Sequence, residues 1–266
     1  MISIVMPTYE RAATLPRAID SVLVQTWGDW ELIVVDDGST DATPAVLADY
    51  RDPRIRVFRH GDNRGVTAAK NSGFDHISGE WFTVLDSDDE LVPDALATLH
   101  DVATRTGATA ITCNCVNAVT GQLTGHGWDA DGWKTQRDMA GLSGEHWGMQ
   151  QTALLGAHRF DERLPGMEGI LWTKITHAAG RRYYLHRGLR IYHTEGADRV
   201  SVTPRTRREQ LAIDRAIGED AVYLDILRVT NPTKYRRMVQ RARRARLLSA
   251  IIPGPVRRAS RRDGAA

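Results

Sequence analysis

In the first hundred residues a short apolar run followed by a helical pattern keeps returning, and this repetition leaves few folds open to the chain. Ile2 to Met6 is a β-branched run that ends at Pro7; beyond it Thr14 stands where an N-cap belongs, and Ala18, Ile19, Val22 and Leu23 share one helical face. Leu32 to Val35 is the second run, and Thr43 and Pro44 then stand as N-cap and first residue of a helix carrying Val46, Leu47 and Tyr50. Ile55 to Phe58 and Trp81 to Leu85 predict a third and a fourth strand, while Val66 to Ile77 and Pro93 to Val102 predict the helices that follow them. Alternation at this spacing specifies an α/β fold, with a mostly parallel sheet covered by helices on both faces.

Open sheets of this kind bind ligands at the carboxyl ends of their strands. The polar clusters of the sequence fall there: Thr8-Tyr9-Glu10-Arg11, Asp36-Asp37, Asn63-Arg64-Gly65 and Asp86-Ser87-Asp88-Asp89. The last places three carboxylates in four residues after an apolar strand, where they repel one another unless a cation or a positive side chain neutralises them. Mg²⁺ or Mn²⁺ prefers oxygen ligands and is commonly held by one or two carboxylates plus substrate phosphates, so a metal here implies a phosphorylated substrate. The alternative is a solvated acidic turn before a helix. Asp36 and Asp37, at the neighbouring strand end, admit the same alternative, but their carboxylates can also accept hydrogen bonds from a base N–H or ribose hydroxyls.

Composition excludes several classes. No apolar run approaches the ~18 residues of a membrane-spanning helix, and no basic segment with a cleavage site opens the chain, so a cytoplasmic location is expected. Cys113 and Cys115, two apart in a strand-like run, are expected to be reduced, since a disulfide between them would be strained. The net charge of +2 conceals an asymmetry, because residues 234 to 262 hold eleven Lys and Arg and no acid.

The stretches Ser3 to Arg11, Ala18 to Thr26, Glu31 to Asp41, Asn63 to Asn71 and Gly79 to Asp89 together resemble the family 2 glycosyltransferases, in that family's order and spacing. The resemblance implies a GT-A-like, Rossmann-like fold with a helical C-terminal extension. It also implies an inverting hexosyltransferase that moves a sugar from a nucleoside diphosphate sugar, most commonly a UDP-sugar, to an acceptor hydroxyl or amine. On that basis Pro7, Thr8, Tyr9, Glu10, Arg11, Asp36, Asp37, Arg64, Lys70, Ser87 and Arg199 are candidates for the nucleotide side. Asp86 and Asp88 form the Asp-x-Asp for Mg²⁺ or Mn²⁺, with His193 a further metal ligand. Glu10 stands where Asn is usual, and Lys70 where Arg is usual.

In the second half, Phe160 to Lys174 resembles the family's acceptor-side segment. Alignment on Leu171-Trp172 puts Glu168 at the position of the catalytic base, where the family has Asp. A helix-opening Glu is the alternative. Asp89, Trp147 and Trp172 are candidates on the acceptor or sugar side, along with Trp128 and Trp133; an ordinary core position is the alternative, favoured for Trp172. Thr194 to Ser201 has the composition of a loop able to close on the donor, with Arg199 reaching phosphate.

The expected organisation is a catalytic domain over residues 1–200, divided into a nucleotide-sugar-binding half (1–115) and an acceptor-side half (116–200). C-terminal helices over 201–252 and a basic tail over 253–266 follow. From Lys234 to Ile252 a basic amphipathic helix is expected, and two readings stand open: its apolar stripe docks on the catalytic domain with its arginines solvated or paired with the acidic body, or the helix attaches to the anionic inner face of a membrane holding a lipid-linked acceptor. A sugar or small-molecule acceptor is equally compatible, and nucleic acid is disfavoured for want of a recognition motif. Two rival functions are a sugar nucleotidyltransferase, which usually carries a glycine-rich basic loop that Pro7-Thr8-Tyr9-Glu10-Arg11 lacks, and a non-catalytic sugar- or nucleic-acid-binding module.

Overall fold

The computed structural model describes residues 1–194 and 206–249. These fall into two compact units, one ending before residue 204 and the other beginning after it.

The first unit is built on a nine-stranded sheet. Its N-terminal part is the expected alternation: β1 (Ile2–Thr8), α1 (Leu15–Leu23), β2 (Trp30–Asp36), α2 (Thr43–Asp49), β3 (Ile55–Arg59), α3 (Val66–Phe74) and β4 (Trp81–Val84). β1 lies between β2 and β4, β3 lies outside β2, and all three pairings are parallel. Every residue of β1 and β2 is buried, as strands covered on both faces require. The register sets Thr8 beside Asp36 and Val5 beside Val84, so the loops after β1, β2 and β4 open at one edge.

Further along come β5 (Glu90–Leu91), α4 (Ala95–Thr106), β6 (Ala110–Asn117), β7 (Gly132–Thr135), α5 (Gln136–Met139), β8 (His146–Gln151), α6 (Gly169–Ala179) and β9 (Arg181–Tyr192). Here the sheet is mixed. β8 runs antiparallel to both β4 and β6, β9 is parallel to β6, and β5 and β7 are antiparallel to β9. β9 joins what the sequence suggests are two short strands near Tyr183 and Ile191. The register along β6 slips between Cys113 and Cys115, and the two halves of β9 pair on either side of that irregularity.

Side-chain alternation divides the core between the sheet's faces. Ile2, Ile4 and Met6 of β1 pack with Leu15, Ile19 and Val22 of α1 and with Leu96 and Leu99 of α4. Val5, Ile33 and Val35 turn the other way, against Ala69 and Phe74 of α3 and Leu171 and Ile175 of α6. Full burial of each such aliphatic side chain contributes about 1.5–3 kcal/mol, so Ile4→Ala at the centre should cost about 2–5 kcal/mol. Cys113 and Cys115 are buried free thiols on β6, and burial pushes the Cys113 thiol well up.

The second unit holds α7 (Arg207–Ile217), α8 (Ala221–Thr230) and α9 (Pro232–Ser249). Thr206 and Glu209 form a capping box that starts α7, and the Asp220 carboxylate accepts the Tyr223 N–H at the start of α8. α9 packs on α7 and α8. A Cβ on Gly218 would lie 2.4 Å from the Cβ of Ala242, so the turn after α7 and the buried side of α9 are in close approach. Ile252 and the arginines at 257, 258, 261 and 262 lie outside the described residues. Among the described residues no helix is long and apolar enough to cross a membrane.

Candidate active site

The site begins where β1 ends. Thr8 is buried, and its Oγ1 has no hydrogen-bond partner among the described residues. Tyr9 is 37% exposed beside it. The loop is clipped to the one after β2: the backbone N–H groups of Glu10 and Arg11 donate to Ser39 Oγ and Thr43 Oγ1, each at 2.9 Å, and Thr40 Oγ1 donates to Glu10 Oε1 at 2.9 Å. Glu10 adopts φ = 51°, the left-handed region. Asn enters that region more readily than Glu, which is the physical sense of the family's preference there.

The two carboxylates after β2 hold loops. Asp36 is buried, accepts the Ser39 N–H at 3.0 Å, and has Arg59 Nε 3.2 Å from Oδ2. Asp37, also buried, accepts the Arg64 N–H at 3.0 Å and the Gly65 N–H at 2.7 Å, with His60 Nδ1 at 2.6 Å. These bonds occupy most of its lone pairs and fix the loop between β3 and α3. Gly38 makes the approach possible: its φ is 78°, and a Cβ there would lie 2.7 Å from the Asp62 carbonyl carbon. The Arg64 side chain is exposed and lies 3.6 Å from Glu162.

At the end of β4, Asp86, Asp88 and Asp89 come together with Ser87 buried between them. Positive side chains do part of the neutralising that such a cluster demands. Lys70 is buried on α3, with Nζ 3.1 Å from Asp86 Oδ1. Arg190, buried on β9, lies 3.7 Å from Asp86, 3.5 Å from Asp89 and 3.2 Å from Glu145. Asp86 keeps 40% of its side-chain surface exposed at the opening. The protein mass around it opposes ionisation, but Lys70 and Arg190 outweigh that and hold its carboxyl below the usual range. Burial pushes the Asp89 carboxyl up, to about 7, with Arg190 offsetting part of the rise and Asp86 adding to it. Burial alone would lower the Arg190 guanidinium, but Cys115 and the three carboxylates around it raise it. Arg17 donates to the Asp88 carbonyl at 2.6 Å and so braces the turn.

His193 follows β9 and belongs to this network. Its N–H donates to Asp89 Oδ1 at 2.9 Å, and Nε2 stands 2.7 Å from Glu90 Oε1. Among the described residues no group of three or more His, Cys, Asp and Glu side chains gathers as a metal cage. The donor set still suits a hard divalent ion: Asp86 and Asp88 offer carboxylate oxygens, and Mg²⁺ or Mn²⁺ ordinarily completes its shell with substrate phosphate and water.

Glu168 is half-buried at the start of α6, and its carboxylate has no hydrogen-bond or ion-pair partner among the described residues. Its neighbours are engaged: Asp161 binds Arg163 at 2.6 Å, and Glu162 accepts from Asn71 at 3.2 Å. Trp147 corrects one expectation. It is buried in the core, and its Nε1–H donates to the Val84 carbonyl at 2.8 Å, so it offers no open face for a sugar. Trp172 packs edge-on against Phe160, and Lys134 and Arg181 each lie over one face of the half-buried Trp128 and Trp133 rings. Arg199 and its loop lie outside the described residues.

Sequence reasoning did not single out Arg190, Arg59, His60 or Arg17. The alternation Leu189-Arg190-Ile191 signals that Arg190 faces away from its neighbours, but only the pairing of β9 with β6 shows how deep it lies.

Residues 3–154 match the family model described as "Glycosyl transferase family 2". The chain belongs to that family. Among its relatives, the GalNAc(5)-diNAcBac-PP-undecaprenol beta-1,3-glucosyltransferase of Campylobacter jejuni is 35% identical over 210 residues, covering 76% of this chain and 67% of that protein. The succinoglycan biosynthesis protein ExoO of Rhizobium meliloti is 43% identical over 107 residues, covering 40% of this chain and 31% of its own. The chain thus spans about two thirds of the first relative's length and less than a third of the second's. S. aureus TarS, solved with UDP-GlcNAc, has a TM-score of 0.75 at 18% identity, covering 93% of this chain and 72% of that one. The mannosyltransferase PcManGT of Pyrobaculum calidifontis, solved with GDP-Man and Mn²⁺, has a TM-score of 0.61 at 17% identity, covering 96% and 76%. These likenesses show the GT-A fold.

Proposed function

We propose that this chain transfers a sugar, with inversion, from a UDP-sugar to a hydroxyl of a lipid-linked sugar acceptor. One observation carries the reading: a turn holding Asp86, Asp88 and Asp89, with Asp86 paired to Lys70 and Arg190 and Asp89 to Arg190, follows a strand at the sheet edge where Thr8, Asp36 and Asp37 also lie. UDP is favoured because TarS of similar fold binds UDP-GlcNAc. A lipid-linked acceptor is favoured because the C. jejuni relative is named for an undecaprenol diphosphate substrate.

Thr8 and Tyr9 frame the nucleoside, while Asp36 and Asp37 hold the loops that shape its pocket. Asp86 and Asp88 would hold a divalent metal, which supplies positive charge to the leaving diphosphate. Lys70 and Arg190 hold the Asp86 carboxyl below the usual range and in place. Glu168 accepts the proton of the acceptor hydroxyl as its oxygen attacks the anomeric carbon. The bond from that carbon to the diphosphate oxygen breaks on the opposite face, so configuration inverts. Contact with an anionic membrane, where such an acceptor resides, belongs to the same reading.

The test is incubation with a panel of nucleoside diphosphate sugars, a divalent metal and a polyprenyl diphosphate sugar. Release of UDP coupled to a lengthened glycan is expected. Release of pyrophosphate from a triphosphate and a sugar phosphate would replace this reading with a nucleotidyltransferase.

A further inference from the structure

α9 keeps its apolar side inside its own unit. Ala242 and Ala245 are buried, Tyr235, Met238 and Leu248 are half-buried, and the helix packs on α7 and α8. At 3.6 residues per turn, Arg236, Arg237, Arg243 and Arg244 fall within roughly 120° of one another on the opposite side. All four are exposed, and Leu247, 71% exposed, sits among them.

The charge on this face is not compensated among the described residues of the unit. Residues 206–249 carry eleven Lys and Arg against five acids, and each acid is already engaged. Glu209 closes the capping box, Asp214 binds Arg241 at 2.8 Å, Glu219 binds Arg215 at 3.2 Å, Asp220 caps α8 and Asp225 lies 3.4 Å from Arg228. None of the four outward arginines makes a hydrogen bond or ion pair among the described residues.

We propose that this arginine face binds the surface of an anionic lipid bilayer by charge, while the apolar stripe stays packed on α7 and α8. The inference deepens the reading of a lipid-linked acceptor and rests on it for its purpose, although binding is measured without any transfer. A helix that inserts must release its apolar side to the lipid, and here that side forms the unit's core. A bilayer suits the outward face better than nucleic acid does, because phosphate-bearing headgroups move laterally to match fixed arginines. Tyr235, the aromatic residue next to Arg236, is half-buried on the packed side of the helix and so is not free to stack a base. Leu247 adds a shallow apolar contact.

The test is co-sedimentation of the full chain with phosphatidylcholine vesicles, with and without phosphatidylglycerol, at low and high salt. The second protein carries Arg236→Gln, Arg237→Gln, Arg243→Gln and Arg244→Gln together. Each basic residue near the surface is worth roughly a factor of five in partition, so the quadruple variant should bind anionic vesicles on the order of a hundredfold or more weakly. Its helical content, melting temperature and turnover of soluble acceptor should be unchanged. Wild-type binding should fall away at high salt and be absent on neutral vesicles. Undiminished binding by the variant, binding that survives high salt, or preference for a short DNA duplex over anionic vesicles would overturn the proposal. None of these outcomes depends on whether the chain transfers sugar.

Discussion

Lys70 Nζ lies 3.1 Å from Asp86 Oδ1, joining the buried side of α3 to the acidic turn after β4. The ammonium group draws one carboxylate away from its neighbours and fixes it. Lys70→Met should therefore raise the KM for the nucleotide sugar by roughly 10–100-fold, the usual cost of losing a group that orients a metal ligand, while the fold is retained. Lys70→Arg, which keeps the charge, should recover most of the loss. Donor titrations of both variants check this, and an unchanged KM in Lys70→Met would remove Lys70 from the site.

Much of this arrangement was legible in the sequence, because β1 to β4 and the helices between them depend on local periodicity. Thr8, Asp36 and Asp86 stand at strand ends that any reader of the alternation would find. Arg190 and the continuity of β9 were not legible, since both depend on pairing with β6 some seventy residues earlier in the chain, and nothing local marks a buried arginine. Trp147 was misread for a similar reason: its N–H partner is the Val84 carbonyl on another strand. Glu168 was found only through resemblance, and its distinguishing property, a carboxylate without a partner among the described residues beside two that are engaged, belongs to the folded chain.

That property gives the second prediction. Glu168→Gln should lower turnover at least ~10²-fold with donor affinity preserved, the range expected when a general base is removed. Asp161→Asn and Glu162→Gln, whose carboxylates serve Arg163 and Asn71, should keep turnover within a few-fold. Steady-state kinetics on the three variants decides it. A large loss in Asp161→Asn with near-normal Glu168→Gln would move the base.

Glu10 occupies a left-handed conformation at φ = 51°. Glu10→Asn should raise stability by about 0.5–1 kcal/mol, because Asn enters this region with less strain. For a unit of this size that is about 1–4 °C in Tm. Calorimetry of the variant measures it, and a lower Tm would show that the hydrogen bond from Thr40 outweighs the backbone term.

Glu31 supplies a pH signature far from the acidic cluster. Burial works against its ionisation, but hydrogen bonds from Ser3, from Ser78 and from Arg56 prevail and lower its pKa from the ordinary 4.5. A depressed folded-state pKa contributes stability that is fully present above the unfolded value and is lost as pH falls through the folded one. Urea unfolding between pH 7 and 3 should thus show wild-type stability declining below about 4.5, with a shallower decline in Glu31→Gln. Parallel curves would deny Glu31 this role.

If the carboxylates after β4 hold the donor diphosphate through a divalent metal, the thermal stability of wild type and Asp88→Asn with UDP-sugar, with Mn²⁺, and with both reports it most directly. At about 100 times the dissociation constant a bound donor should add ~2.7 kcal/mol. The prediction is a stabilisation that needs metal and nucleotide together in the wild type and is absent from Asp88→Asn, whose melting without ligand matches the wild type. Equal stabilisation in the presence of a chelator, or in Asp88→Asn, would contradict it.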